Sequence, residues 1–273
     1  MLKILRIVTA VAFCLAVSVF ALFYINEKKN TDNTVPVIEI EDRDIEVSID
    51  ATEKDLLKGV TAYDEKDGDI TSHIVVESVS QFIEEGVCIV KYAVSDSDNH
   101  VVKDTRTIRY VDYTSPRFTM ERSMVFNVGE DIDVLEVVGA VDSIDGDISE
   151  KVVIMATDYK TDTLGTFKIS FQATNSKGDI IYLDLPMHIE ESSILCPDVE
   201  LRDYIIYVKK GEKPDFSEYV KEVTTIGGSS VGYDLKISTN FDSEKPGIYS
   251  VDYYVVDEAG YTTHSVLTVV VEE

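Results

Sequence analysis

Hydrophobic residues recur at every second position in several segments of this chain. The clearest runs place their alternating apolar side chains at Cys88, Val90, Tyr92 and Val94, at Phe167, Ile169, Phe171 and Ala173, and at Tyr249, Val251, Tyr253 and Val255. Alternation over eight residues is typical of a strand with one buried face. Shorter alternating runs lie between turn signals spaced roughly 8 to 12 residues apart, and no long helical period follows the first 25 residues. The pattern predicts an all-β chain behind one apolar segment.

The three alternating runs belong to a threefold repeat. Each run begins at a glycine. An aromatic residue follows six positions later, Asp or Asn ten positions later, and Asn or Gly thirteen positions later. The three sets are Gly86, Tyr92, Asp96 and Asn99; Gly165, Phe171, Asn175 and Gly178; and Gly247, Tyr253, Asp257 and Gly260. A period of about 80 residues suits small self-sufficient domains better than solenoid units. We therefore predict repeat one at 36–112, repeat two at 116–189 and repeat three at 197–273.

Each repeat offers about seven short strands in roughly 80 residues, which favours an antiparallel β-sandwich of the immunoglobulin (Ig) type. The chain has no Trp, and Cys88 and Cys196 fall in different predicted environments, so an antibody-like core disulfide is not expected. The joints at 113–115 and 190–196 are short, which predicts a semi-rigid rod.

Residues 7–25 form an uncharged apolar run. As a helix the run would rise about 28 Å, close to the thickness of a membrane's hydrocarbon core. We predict that residues 1–25 are an uncleaved membrane anchor and that 26–35 form a polar linker. The alternative is a signal peptide cleaved after Ala16-Val17-Ser18, but the apolar run continues past that point.

The anchor's flanking charges favour the repeats outside the cell by a narrow margin. Lys3, Arg6 and the α-amino group lie on one side, against Lys28 and Lys29 on the other. The expected location is a single-pass cell membrane protein with extracellular C-terminal domains. The alternative location is secretion after signal cleavage. The formal charge of −26, from 51 acidic and 25 basic residues, argues against binding to nucleic acid.

Repeats one and two resemble the bacterial Ig-like domain named after a pesticidal crystal protein. In that family a strand of the form GxYxVxYxxxDxxGN follows an acidic DGDIT loop. Here the strand runs from Gly86 to Asn99, and the loop contains Asp67, Gly68 and Asp69. Repeat three keeps the strand but replaces the acidic loop with residues 224–228. The resemblance implies a surface-displayed bacterial sandwich domain with no assigned catalytic activity.

The acidic loops are the main candidate for chemistry. Their residues are Asp64, Asp67 and Asp69 in repeat one, and Asp142, Asp145 and Asp147 in repeat two. Carboxylates around a glycine could converge on Ca²⁺, with Asp96, Asp98, Asn175 or Asp179 completing the shell. The alternative is that these side chains accept backbone hydrogen bonds within tight turns. Turn stabilisation is the favoured interpretation, and calcium is the one cofactor or metal that the sequence suggests.

The remaining candidates carry no catalytic pattern. The aromatic position of each repeat could form a sugar-stacking platform, but its inward register predicts a core residue. His73, His100, His188 and His264 are scattered without metal-ligand spacing and are expected to be solvated or at strand edges. No phosphate loop or nucleophile elbow is present, so the chain is not expected to be an enzyme.

The sequence therefore predicts a non-catalytic surface protein that acts in adhesion or in binding an unknown protein or glycan. Alternatives are a passive envelope spacer and a carbohydrate-binding module. Repeat three departs most from the others, at Gly227, Gly228, Ser229, Ser230 and Tyr233, and is the expected contact surface at the tip.

Overall fold

The computed structural model describes residues 2–30, 34–225 and 232–273. It is an all-β protein behind a single N-terminal apolar helix, as the alternation predicted. The chain divides into two compact units, Met1–Val111 and Asp112–Glu273. The first unit contains repeat one, and the second contains repeats two and three.

The N-terminal helix α1 spans Leu2–Asn30. Its segment Arg6–Ile25 is long and apolar enough to cross a membrane, and a signal sequence would meet the same test. The helix continues five residues beyond Ile25, into the predicted linker. Glu27, Lys28 and Lys29 are good helix formers, and no Gly or Pro interrupts them.

The strands follow the repeats. Repeat one contains β1 (Val37–Ile40), β2 (Asp44–Val47), β3 (Val60–Asp64), β4 (Gly68–Asp69), β5 (Val75–Val79), β6 (Val87–Ser95) and β7 (Val101–Tyr110). Repeat two contains β8 (Arg117–Met120), β9 (Val125–Asn127), β10 (Val138–Asp142), β11 (Gly146–Asp147), β12 (Val153–Thr157), β13 (Gly165–Thr174) and β14 (Ile180–Glu190). Repeat three contains β15 (Asp198–Leu201), β16 (Ile205–Lys209), β17 (Val220–Thr224), β18 (Tyr233–Thr239), β19 (Gly247–Asp257) and β20 (Thr262–Glu272).

Helical turns in the described parts of the repeats are short. They are one α-helical turn, α2 (Glu53–Leu56), and 3₁₀ turns at Thr71–His73, Val134–Glu136, Ser149–Lys151 and Phe216–Tyr219. The turn α2 begins with a capping box, in which Thr52 and Asp55 hydrogen-bond to each other's backbone. None of these turns is long enough to alter the β-class assignment.

Each repeat pairs a small sheet with a four-stranded sheet. The small sheets have strand orders β1-β3-β4, β11-β10-β8 and β15-β17, and the large sheets have orders β2-β7-β6-β5, β12-β13-β14-β9 and β16-β20-β19-β18. The large sheets are mixed rather than purely antiparallel, because β2, β9 and β16 each run parallel to the last strand of their repeat. In each repeat the first strand belongs to the small sheet and the second to the large sheet, so the chain crosses between the sheets at that point.

The hydrophobic cores lie between the paired sheets. The aromatic residue six positions after the glycine of each repeat (Tyr92, Phe171 or Tyr253) is fully buried. The predicted core role of these aromatics is therefore confirmed, and their rings are not exposed for sugar stacking. Cys88 is a buried core residue, and Cys14, Cys88 and Cys196 are all free thiols.

The backbone conformation explains why the position thirteen residues after each repeat's glycine is Asn or Gly. Asn99, Gly178 and Gly260 have φ angles of 68°, 83° and 88°. This left-handed region favours Gly, and Asn tolerates it better than most other residues. The turn between the last two strands of each repeat therefore restricts this position to Asn or Gly.

Repeats two and three share their compact unit through the outer face of β20. Residues 264–269 of β20 are buried consecutively, on both faces of the strand. Leu267 and Val269 belong to the core of repeat three, whereas the amide of Val266 donates to the hydroxyl of Ser123 in repeat two at 2.8 Å. Tyr204 packs against both cores. The second joint is therefore a packed interface.

Candidate functional site

The acidic loop of repeat one is closed by hydrogen bonds to its own backbone. One Asp64 carboxylate oxygen accepts from the amides of Lys66 and Asp67, at 2.9 and 3.0 Å. Asp69 accepts from the amide of Thr71 at 2.9 Å. Asp67 reaches the neighbouring β6–β7 turn, where it accepts from both the amide and the hydroxyl of Ser97. These contacts provide the turn stabilisation that the sequence favoured.

The loop of repeat two repeats this arrangement with the same atoms. Asp142 accepts from the amides of Ile144 and Asp145, and Asp145 accepts from the amide and hydroxyl of Ser176. Asp147 accepts from the amide and hydroxyl of Ser149. Each acidic loop is therefore linked to the turn between the last two strands of its own repeat, at one end of the sandwich.

The two loops differ at the buried oxygen beneath the turn. In repeat two the second Asp142 oxygen accepts from the Asn175 amide at 3.1 Å. In repeat one the corresponding Asp64 oxygen is buried and has no hydrogen-bond partner. Asp96, which replaces Asn175, instead bonds to the His100 ring at 2.6 Å. Calcium binding by either loop stays a prediction.

The electrostatics of Asp96 follow from this choice of partner. Burial disfavours its charged form, but hydrogen bonds from the backbone and ring of His100 outweigh burial and hold the pKa of Asp96 below its ordinary value. Asp96 therefore stays a carboxylate at neutral pH. It cannot donate a proton to the unpartnered Asp64 oxygen.

A second polar cluster lies at the joint between repeats two and three. Its residues are His188 and Glu190 on β14, His264 on β20, and Asp252 and Tyr254 on β19. His264 is almost fully buried and bonds to Glu190 at 2.7 Å and to Asp252 at 3.0 Å. The Tyr254 ring stacks on the His264 ring, with centroids 4.4 Å apart. His264 was predicted to be solvated or at a strand edge; it is not solvated, because its strand has a second buried face.

His188 approaches His264 from the other repeat. The two ring centroids lie 5.1 Å apart and the rings meet edge to face. His188 Nδ1 is 3.1 Å from the Thr166 hydroxyl, whereas His188 Nε2 is buried without a hydrogen-bond partner. The sequence interval of 76 residues hid this pairing, since it matches no local metal-ligand spacing.

The two imidazoles are in opposite electrostatic environments. Burial disfavours charge on both rings. At His264 the hydrogen bonds to Asp252 and Glu190 outweigh burial and raise the pKa to about 9. At His188 burial and the neighbouring charge of His264 lower the pKa. The pKa of Glu190 is lowered chiefly by its bond to His264. The cluster therefore pairs one charged ring, His264, with one neutral ring, His188.

A cleft opens beside this cluster, with a volume of about 390 Å³. It is lined by residues of both repeats, and the charged ones are Arg122, Glu130, Glu190, Glu191, Asp198 and His264. Among the described residues that line the cleft, the Phe and Tyr side chains are Phe126 and Tyr204. Phe126 is buried beneath the Arg122 guanidinium, and Tyr204 is partly buried. The cleft is therefore a polar, mainly acidic recess without an open stacking surface.

The predicted tip segment is only partly covered by the structure. Gly227, Gly228, Ser229 and Ser230 lie outside the described residues. Tyr233 begins β18 and is exposed. The assignment of the contact surface to this segment stays a prediction.

Comparisons with known proteins give similarity without a family assignment. No family model matches the chain. It is 27% identical over 223 residues to the pesticidal crystal protein Cry22Aa of Bacillus thuringiensis, covering 77% of this chain and 29% of that protein. It is 28% identical over 145 residues to an uncharacterized 81.3 kDa protein of Acholeplasma phage L2, covering 52% and 19% respectively. The chain thus spans less than a third of the length of each of these relatives.

Among solved structures, the chain is similar to the CBM51-2 and INT domains of ZmpB from Clostridium perfringens, determined in complex with GlcNAc. The identity is 17%, the coverage is 87% of this chain and 42% of that chain, and the TM-score is 0.24. A likeness of this size carries no argument about function. The match to the crystal protein agrees in part with the resemblance noted from the acidic loop and its strand.

Proposed function

We propose that this chain is a non-catalytic binding protein of three tandem Ig-like domains, held at a membrane by α1. Its role is adhesion through a partner protein at the cell surface. The cleft between repeats two and three is the contact site. The observation that carries this proposal is that both repeats build the cleft and that β20 fixes them against each other.

The chemistry of the cleft selects the partner. Glu191 and Asp198 are exposed on its wall, and Glu130 pairs with Arg122 at 3.2 Å. Glu190 is bound to His264 at the edge of the same recess. Acidic side chains that line a recess favour a partner with basic groups, since complementary charge speeds association and fixes orientation. A basic peptide segment or a basic surface loop fits this description.

A passive spacer is the second candidate, and the packed joint favours it as well. A joint that buries residues 264–269 of β20 would keep two domains aligned whether or not anything binds. The two functions differ in whether the exposed charges of the cleft matter. A spacer depends only on the interface, so it tolerates any change at Glu191 and Asp198.

The test is capture of envelope proteins by the full chain in detergent, with and without reversed cleft charge. Glu191→Lys combined with Asp198→Lys should reduce captured partner roughly tenfold, through slower association. The matched control is Glu150→Lys with Glu258→Lys, because both residues are exposed, lie outside the cleft and change the net charge equally. Equal capture by both double variants would place the contact elsewhere. No capture by the wild-type chain would leave the spacer as the better account.

A further inference from the structure

The cluster at the second joint contains the donor atoms of a metal site. Among the residues that the structure describes, His188, Glu190 and His264 are the one group of three His, Cys, Asp or Glu residues whose donor atoms all lie within 4.8 Å of one another. Two imidazole nitrogens and a carboxylate oxygen are a ligand set that Zn²⁺ accepts in proteins, with a fourth position left open. We propose that these three side chains bind a divalent transition-metal ion, with Zn²⁺ as the representative ion.

The first argument is the state of His188. Its Nδ1 lies beside the Thr166 hydroxyl, and its Nε2 is buried with no partner. A buried nitrogen without a hydrogen bond costs free energy unless something occupies its lone pair. With Nδ1–H donating to the Thr166 hydroxyl, Nε2 carries the lone pair that a metal ion would bind. A metal ion bound to Nε2 would supply the missing partner.

The second argument is the outer contact of His264. Metal-bound histidines usually donate their second ring N–H to a carboxylate, a carbonyl or water, which fixes the tautomer. Asp252 accepts from His264 Nε2 at 3.0 Å, which leaves Nδ1 facing Glu190. Tyr254 stacks on the ring and fixes its plane. Both imidazoles therefore have their non-ligating nitrogen beside an oxygen.

The third argument is charge. Glu190 and Asp252 bring two carboxylates to a place where His264 is almost fully buried. When the ion replaces the proton on His264 Nδ1, its two positive charges balance these two carboxylates, whose side chains are 41% and 20% exposed. Glu190 and His264 also line the cleft, so an open coordination position would face the recess.

The ion would connect two domains. His188 and Glu190 lie on β14 of repeat two, and His264 lies on β20 of repeat three. A metal bound by both strands strengthens the joint by mass action, because the separated domains do not present the complete donor set. At a free Zn²⁺ concentration about 100 times the Kd, the melting temperature of this unit should rise by roughly 5–10 °C.

The test uses the full chain in detergent, stripped with EDTA and dialysed against buffered Zn²⁺ with excess Mg²⁺. Mg²⁺ occupies exposed carboxylates but does not compete for imidazole nitrogens. One Zn²⁺ per chain is expected. H188Q and H264Q should weaken binding by about 100-fold or more, and D252N by about 10–100-fold, because Asp252 acts through the His264 ring. The matched control is H73Q, since His73 is exposed in repeat one.

A conservative variant and a spectrum keep the proposal falsifiable if a histidine variant misfolds. E190Q keeps the shape of the side chain and should also weaken Zn²⁺ binding. Co²⁺ bound in place of Zn²⁺ should give visible absorption bands that E190Q and D252N change and H73Q does not. Absence of Zn²⁺ from the wild-type chain under these conditions would overturn the proposal. Wild-type affinity in E190Q and H188Q would overturn it equally.

Discussion

Repeats one and two use the same strand register but fill it with different chemistry. At one core position, opposite Val90, repeat one places Arg106, whereas repeat two places Leu185 opposite Ile169. Arg106 is almost fully buried, and its guanidinium donates to the carbonyls of Asp42 and Lys58 at 2.7 and 2.9 Å. This sandwich therefore accepts a buried cation where backbone carbonyls already face inward.

The acidic loops differ in the same way. Repeat two places an amide, Asn175, beside Asp142, and the bond between them satisfies both. Repeat one places Asp96 there, and Asp64 is left with an unpartnered oxygen. Repeat one is thus the more polar of the two at these positions, and one of its buried oxygens, on Asp64, lacks a hydrogen bond. We expect these differences to contribute unequally to the free energy of unfolding.

The largest effect is expected from exchanging the core solutions. Arg106→Leu gives repeat one the residue of repeat two, yet leaves the Asp42 and Lys58 carbonyls without donors. We expect a loss of about 3 kcal/mol in the free energy of unfolding, since each buried unpaired group costs about 1–3 kcal/mol. Denaturant unfolding of the full chain would measure this loss, and hydrogen exchange of the β6 amides would localise it to repeat one. A neutral result would show that the buried cation is incidental.

The next effect concerns the amide beneath the acidic loop. Asn175→Asp would place a second carboxylate beside Asp142 and remove the donor that joins them, so we expect a loss of about 2–3 kcal/mol. The reciprocal change, Asp96→Asn, supplies a donor near Asp64 but loses the bond to His100. Its stability should change by less than about 1 kcal/mol. Equal losses in the two variants would show that the repeats do not share this arrangement.

A smaller effect on stability is expected at the buried aromatic residue that each repeat carries six positions after its glycine. The Tyr92 hydroxyl donates to the Leu56 carbonyl at 2.6 Å, and the Tyr253 hydroxyl donates to the Phe216 carbonyl at 2.8 Å. Tyr92→Phe and Tyr253→Phe should each cost about 1 kcal/mol. Phe171 occupies the same position in repeat two without a hydroxyl, so Phe171→Tyr should destabilise the chain rather than stabilise it. A stabilising Phe171→Tyr would contradict the comparison.

The smallest effect is the calcium response. If Ca²⁺ binds an acidic loop, repeat one offers the better site, because its buried Asp64 oxygen is unpartnered and that of Asp142 is not. Millimolar Ca²⁺ should then raise the melting temperature of the wild-type chain slightly, and Asp64→Asn should abolish the rise. Asp142→Asn is the control that should preserve it. A response that follows Asp142 instead would reject this ranking.

The sequence predicted the fold well because the fold depends on local signals. Alternating side chains assigned β6, β13 and β19 and their inward faces, and the left-handed turn explains why position 99 is Asn and position 178 is Gly. The parallel strand pairs were missed, because strand direction depends on where the chain crosses between sheets. No residue pattern marks that crossing.

The sequence predicted the acidic turns but missed the histidine cluster. The side chains of a turn lie within a few residues of one another, so spacing reveals Asp64 and Asp67. His188 and His264 belong to different repeats, and only the docking of the outer face of β20 joins them. The one available signal was the unbroken apolar run from Val269 to Val271, which lacks the alternation of a strand with one solvated face.

We expect repeats two and three to unfold as one cooperative unit, and native-state hydrogen exchange of the Val266→Lys variant would measure this cooperativity. Val266 is buried on the face of β20 that contacts Ser123, outside the core of repeat three. We expect the β13 amides of repeat two to lose protection from exchange together with the β19 amides of repeat three. Lost protection confined to repeat three would contradict it, and the cleft would then lie between independent domains.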